Sequence, residues 1–239
     1  MKYQMDGSLY HLRFGFPPNH FHYCGPRDSR AILDYLKAGK TDEGLRQLLE
    51  KFRGAVPYLK FIAQENKIKD PFDRRVVEAY WVGNDLLKNC NLQRFYNELE
   101  NRFHTLVSKK TLVEMLGNVP LGSRPHHSFH VIHIFSQTGG MLKMFQPSLT
   151  LMNNCLIRPG KIKLKIKNKE LKIKTQKLKI VNHSIKFVPS IETARVLDST
   201  KFKKGDLVAI HWGWICDKIS SSQQIQLNFW NNQSLKLFS

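Results

Sequence analysis

Asn154-Cys155-Leu156-Ile157-Arg158-Pro159-Gly160-Lys161-Ile162 opens the stretch that decides the fold, and Lys204-Gly205-Asp206-Leu207-Val208-Ala209-Ile210-His211-Trp212-Gly213-Trp214 closes it. Between these ends Ile or Leu alternates with Lys, as in Lys161-Ile162-Lys163-Leu164-Lys165 and Leu171-Lys172-Ile173-Lys174. Side chains of a strand point alternately to its two faces, so this period of two predicts strands with one dry and one wet face. Several such strands in about sixty residues predict a small β-barrel.

Cys155 and His211 sit at the two ends of that segment. A thiolate is a soft ligand and an imidazole a borderline one, and together they suit a late first-row metal such as iron or zinc. Two ligands fall short of the four of a structural zinc site. They fit a carrier, which must also release its cargo. On the residues alone the alternative stays open: a cysteine half-buried at a strand start and a hydrogen-bonded core histidine.

The two motifs, Cys-Leu-Ile-Arg-Pro-Gly-Lys-Ile from Cys155 and Gly-Asp-Leu-Val-Ala-Ile-His-Trp-Gly ending at Gly213, resemble those of the HypC-type chaperones of [NiFe]-hydrogenase maturation. The resemblance spans about residues 152–239. It implies an OB-like barrel, and it implies that Cys155 and His211 carry an iron bearing cyanide and carbon monoxide ligands. It also implies a hydrogenase large subunit or other maturation proteins as partners. Family members begin with Met-Cys, whereas here Asn154 and a long N-terminal region precede the cysteine.

At 239 residues the chain is long for one domain, and the expected division is 1–150, mainly helical with Cys- and His-rich loops, and 151–239, the barrel with a C-terminal helix. The expected class is therefore α+β. Hydrophobic residues make up 41% of the chain, enough for a core, and no apolar run reaches the roughly 18 residues of a membrane span. The start, Met1 to Gly7, lacks the apolar segment of an export signal, and cysteines 24, 90, 155 and 216 show no disulfide or zinc-finger spacing. A reducing, cytoplasmic setting follows.

The net charge is +19, and fifteen Lys and Arg against three acidic residues fall between Arg158 and Lys204. Lysines alternating along strands make a solvated face that guards sheet edges against aggregation. The same face would suit nucleic acid, but single-strand binders interleave stacking aromatics with their cations, and Lys161 to Lys186 contains none. An acidic protein partner explains it equally well.

The N-terminal half reads as a helical bundle. Helices are predicted from Asp28 to Gly39, from a Thr41 cap to Gly54, over Val56–Gln64, from an Asp70-Pro71 start to about Leu87, over Leu92–Leu106, and from a Ser108 cap to Leu116. Phe14-Gly15-Phe16-Pro17-Pro18 through Cys24-Gly25-Pro26 is dense in Pro and Gly and reads as an ordered loop presenting Cys24. Pro125-His126-His127-Ser128-Phe129-His130-Val131-Ile132-His133 reads as a strand, on which His127 faces away from His126 and His130. His127 could serve as general base to a Cys24 nucleophile in a hydrolase or transferase, or His126 and His130 could bind metal with Cys24, His20 or His22 as third ligand, or the histidines could simply pack. Gly139, Gly140 and Pro147 mark a linker leading to Cys155, and Ser220–Phe229 reads as a capped helix with a frayed tail. Without a Gly-rich phosphate loop, no nucleotide site is expected. The Cys- and His-rich N-terminal elements lack an evident structural duty, so they are expected to face Cys155 and His211 across the domain boundary.

Overall fold

The computed structural model describes residues 5–135, 149–166 and 169–237. The expected linker around Gly139, Gly140 and Pro147 lies outside the described residues. The architecture is α+β: helices first, then a five-stranded sheet, then a C-terminal helix.

Helices α1 (Gly7–His20), α2 (Ser29–Ala38), α3 (Glu43–Leu49), α4 (Val56–Glu65), α5 (Arg74–Trp81), α6 (Leu92–Phe103) and α7 (Lys109–Gly117) form the bundle. Short polar side chains start most of them by accepting from an otherwise unpaired N–H of the first turn: Asp6, Asp28, Asp42, Asp73, Asn91 and Ser108. Two of these differ from the sequence reading. Asp42 replaces Thr41 as the cap of α3. Asp73 replaces Asp70 as the cap of α5, because Asp70 is engaged with Arg46 instead.

The larger correction is α1, which occupies the stretch expected to be a loop. Pro17 and Pro18 lie inside its last turn. Internal prolines cost a helix about 3 kcal/mol, but here burial offsets that cost. Tyr10, Leu12, Phe14 and Phe16 are all buried, and Phe14 stacks on Trp81 at 5.7 Å. A helix enclosed on all sides has no polar stripe, so the amphipathic period that reveals a surface helix is absent.

The histidine run is also helical rather than extended. His126 caps a short helix, α8 (His127–Phe129), by accepting from the Ser128 N–H, and the chain continues as a π-helical turn over His130–Phe135. Cys155 follows no linker within the described residues: it is the last residue of α9 (Leu149–Cys155).

Strands β1 (Arg158–Lys165), β2 (Glu170–Val181), β3 (Ser184–Arg195), β4 (Leu207–His211) and β5 (Trp214–Lys218) pair in the closed order β1-β2-β3-β5-β4. The closure between β3 and β5 is a single parallel bridge, Arg195 to Trp214. The expected alternation holds where the sheet closes: Ile162, Leu171 and Ile173 are buried and Lys172 and Lys174 exposed. It fails further along. The β2–β3 hairpin, turned by Asn182 and His183 at positive φ, leaves Ile180 exposed while Leu178 packs beneath α9. Arg158, counted with the surface cations in the sequence, lies inside and makes a two-pronged ion pair with Glu192.

The last helix, α10 (Ser221–Lys236), begins with a full capping box between Ser220 and Gln223. It extends beyond the expected Phe229. The residues expected to fray, including Trp230, Asn231 and Leu235, are buried, because α10 packs back on the N-terminal half. Gly83, at φ +96°, permits this: a Cβ there would stand 2.1 Å from the Trp230 ring. The main core is continuous across the expected division, since Ile157, Ala209, Cys216, Leu227 and Trp230 join the helical bundle in it. An ion pair between Arg13 on α1 and Asp217 on β5 spans the same boundary at 2.5 Å.

Buried histidines give the fold a measurable acid limit. Burial holds His11 and His126 down to about 3, below the ordinary value of 6.5. Above pH 6.5 both folded and unfolded states are neutral there. As pH falls toward 3 only the unfolded chain takes up the protons, which costs about 1.4 kcal/mol per pH unit for each group. Urea unfolding should therefore lose about 3 kcal/mol of stability per pH unit between pH 6 and 4 from this pair. A flat stability over that interval would contradict their burial.

Candidate metal centre

Three elements end at one place. His127 opens α8, Cys155 ends α9, and His211 ends β4; one ligand atom from each lies within 4.8 Å of the other two. Ligand atoms around a tetrahedral ion at bond lengths of 2.0–2.3 Å stand roughly 3.5 Å apart. Small side-chain rotations would close the difference. His127 and His211 meet edge to face at 5.3 Å, and Trp81 packs on both rings.

The orientation of His211 follows from the primary structure of α1. In a helix the N–H of residue 18 would bond to the carbonyl of residue 14, but Pro18 has none. The freed Phe14 carbonyl accepts instead from His211 Nδ1 at 2.8 Å. With its proton fixed on Nδ1, His211 presents a lone pair on Nε2, which is buried and completes no hydrogen bond, although the Cys155 carbonyl is close enough to favour the protonated ring. An imidazole whose far nitrogen is anchored by a carbonyl and whose near nitrogen is bare is arranged as metal ligands usually are.

His127 is held from two sides. Its Nε2 is 2.8 Å from the Cys155 carbonyl, which can only accept, so the proton is on Nε2. Nδ1 then accepts from the Tyr80 hydroxyl at 3.1 Å. The Tyr80 hydroxyl also lies 3.4 Å from the Gly54 carbonyl.

Burial keeps the group uncharged. It lowers His127 to about 4 and holds His211 well below its ordinary value, and it pushes the Cys155 thiol up to about 12, with the Cys24 thiol adding to the rise. The Trp212 indole N–H works weakly in the opposite sense on Cys155. It completes no hydrogen bond and is buried, which suits a donor waiting for a thiolate. Trp212 is placed by a tight turn with Gly213, both at positive φ, and its own N–H bonds to the Asn154 carbonyl at 2.8 Å.

The cluster opens into a cavity of about 610 Å³, which Cys24 and His130 also line. Asn19, at the end of α1, shapes that wall by donating to the Cys24 and Pro26 carbonyls at 3.0 and 2.6 Å. The expected facing of the Cys24 loop and the histidine run toward Cys155 and His211 is therefore present. Within it, both nitrogens of His127 are already hydrogen-bonded, to the Tyr80 hydroxyl and the Cys155 carbonyl. A Cβ on Gly54 would stand 3.6 Å from Cys24 Sγ and 3.7 Å from His130 Nε2. Burial pushes the Cys24 thiol up to about 11.

The remaining histidines of the run have structural duties. His126 caps α8 and meets Ser128, and His133 Nε2 lies 2.9 Å from the Ser234 carbonyl of α10. The sequence reading did not single out Trp212, Pro18 or Arg102, a cavity residue whose guanidinium lies 4.8 Å from the Tyr58 ring. Trp212, beside His211, carried a usable signal. Arg102 carried none.

Pro18→Ala restores the helical N–H, which competes for the Phe14 carbonyl and loosens the His211 tautomer. We expect metal affinity to fall about 10- to 100-fold, as when an outer-shell partner is lost, with little loss of thermal stability. Unchanged affinity in a correctly folded variant would show that the carbonyl does not set the ligand.

None of the curated proteins or solved structures compared matches this chain. Residues 3–239 match a family described as a family of unknown function, DUF6390, and with nearly the whole chain matched the protein belongs to that family.

Proposed function

We propose that this protein is a carrier for iron, held by His127, Cys155 and His211 at the closed end of the cavity, and that it serves [NiFe]-hydrogenase maturation in the cytoplasm. The observation that carries the reading is the convergence of one thiol and two imidazoles, one of them with a buried and partnerless lone pair. The donor set fits a late first-row ion. Three protein ligands leave coordination positions free for ligands that travel with the iron, and the resemblance of residues 152–239 to the HypC-type chaperones supplies iron with cyanide and carbon monoxide as the cargo. On this reading the closed sheet is an OB-like barrel, and hydrogenase large subunits or other maturation proteins are the partners.

The alternative, a hydrolase or transferase with Cys24 as nucleophile and His127 as base, has less support. An activated thiol needs a lowered pKa, whereas Cys24 is raised. Nucleic-acid binding rests only on the exposed strand lysines. None of the helices among the described residues is long and apolar enough to cross a membrane.

Loading iron on this site must displace the Cys155 proton, because the free thiol keeps it up to about pH 12. Affinity for ferrous iron should accordingly rise about tenfold per pH unit between pH 6 and 8. Purified anaerobically after expression with the maturation proteins, wild type should hold about one iron per chain, and Cys155→Ser or His211→Ala should lose at least about a hundredfold in affinity. An iron-free wild type, or Cys155→Ser binding as well as wild type, would overturn carriage at this site.

A further inference from the structure

The cavity has a second chemical character that the three ligands do not use. Arg27, Lys51, Arg53 and Arg102 line it, and among the described residues no Asp or Glu does. None of these four cations is in an ion pair among the described residues. Arg27, Lys51 and Arg53 are exposed, at the outer rim. Arg102 is half-buried and fixed: it donates to the Arg53 carbonyl at 2.8 Å and lies over the Tyr58 and Phe103 rings.

A cation held in that way is already oriented and has lost its side-chain freedom before any ligand arrives, which lowers the cost of binding an anion. Its charge reaches inward, where it favours the Cys24 thiolate and disfavours protonation of His130. Below the rim the walls are apolar and aromatic, with Trp81, Phe103 and Trp212 among them. Tyr23 lies against Trp212 at 4.2 Å and forms an exposed edge of the entrance. An apolar chamber with a cationic rim selects a molecule with an apolar body and an anionic head.

We propose that this cavity binds a small organic anion, an apolar or aromatic body with one carboxylate or phosphate, whose charge rests on Arg102 and Arg53 at the rim. The body lies against Trp81 and Trp212. Binding needs no metal, so the inference stands apart from the carrier reading. Carboxylate and phosphate share the chemistry, and the two arms of the test separate them.

The test uses the full-length chain stripped of metal with a chelator, titrated calorimetrically at low salt with phenylacetate, phenyl phosphate and neutral benzyl alcohol. One anion should bind at one per chain and at least about tenfold more tightly than the alcohol, and added salt should weaken it. Lys51→Gln with Arg53→Gln, both exposed positions, should weaken that anion about five- to tenfold while circular dichroism stays native and ferrous iron affinity is kept. Equal binding of the alcohol, no saturable binding by either anion up to about 10 mM, or undiminished binding by the double variant would each overturn the proposal. Loss of iron binding in wild type with anion binding intact would sink the carrier reading and leave this one standing.

Discussion

Pro18 cannot donate to the Phe14 carbonyl, and the helical half grips the sheet through that vacancy. The hydrogen bond from His211 Nδ1 joins α1 to the end of β4 across a sequence distance of 197 residues. It fixes the tautomer of the one imidazole whose other nitrogen is bare. Around it the Arg13–Asp217 pair, the Phe16–Trp214 contact and the continuous core hold the same two surfaces together. A feature that costs helix energy in α1 thus becomes a positioning device elsewhere, as is common where local rules are broken near a site.

Both imidazoles of the site are buried and Cys155 is half-buried, and that burial sets its chemistry. Two imidazoles and a thiol that all stay neutral at physiological pH carry no charge to repel one another. They can be buried at modest cost while empty of protons on the imidazole lone pairs. A divalent ion held there would be bound by the Cys155 thiolate, its proton released to solvent, with the indole N–H of Trp212 at hand to donate to the sulfur. The outer cavity is the reverse: its rim is cationic, and no carboxylate among the described residues lines it, although Arg102 feels the charge of Glu98 behind it.

The sequence made the sheet legible because Ile162, Leu171 and Ile173 obey a strict alternation imposed by closure. It did not reveal where the alternation would stop: Leu178 faces the side opposite to Leu171 and Ile173 and is buried because α9 covers it, whereas Ile180, on the same face nearer the hairpin turn, is exposed. Cys155 and His211 could be paired from their motifs. His127 could be suspected as a reactive histidine, but its convergence with them depends on α8 being helical, which a run of β-branched and aromatic residues concealed. α1 was hidden for a related reason: a mostly buried helix with two prolines has neither a clear amphipathic period nor permitted composition. Arg102 sits on an ordinary charged helix surface, and only the packing of α6 beside the Cys24 loop turns it toward the cavity.

The central claim is that one sulfur and two imidazoles share an ion. Iron K-edge X-ray absorption on the iron-loaded protein tests it most directly. The account predicts a first shell containing one sulfur near 2.3 Å and two imidazole nitrogens near about 2.1 Å, with the sulfur absent in Cys155→Ser. A shell of oxygen and nitrogen alone in the wild-type protein would contradict it.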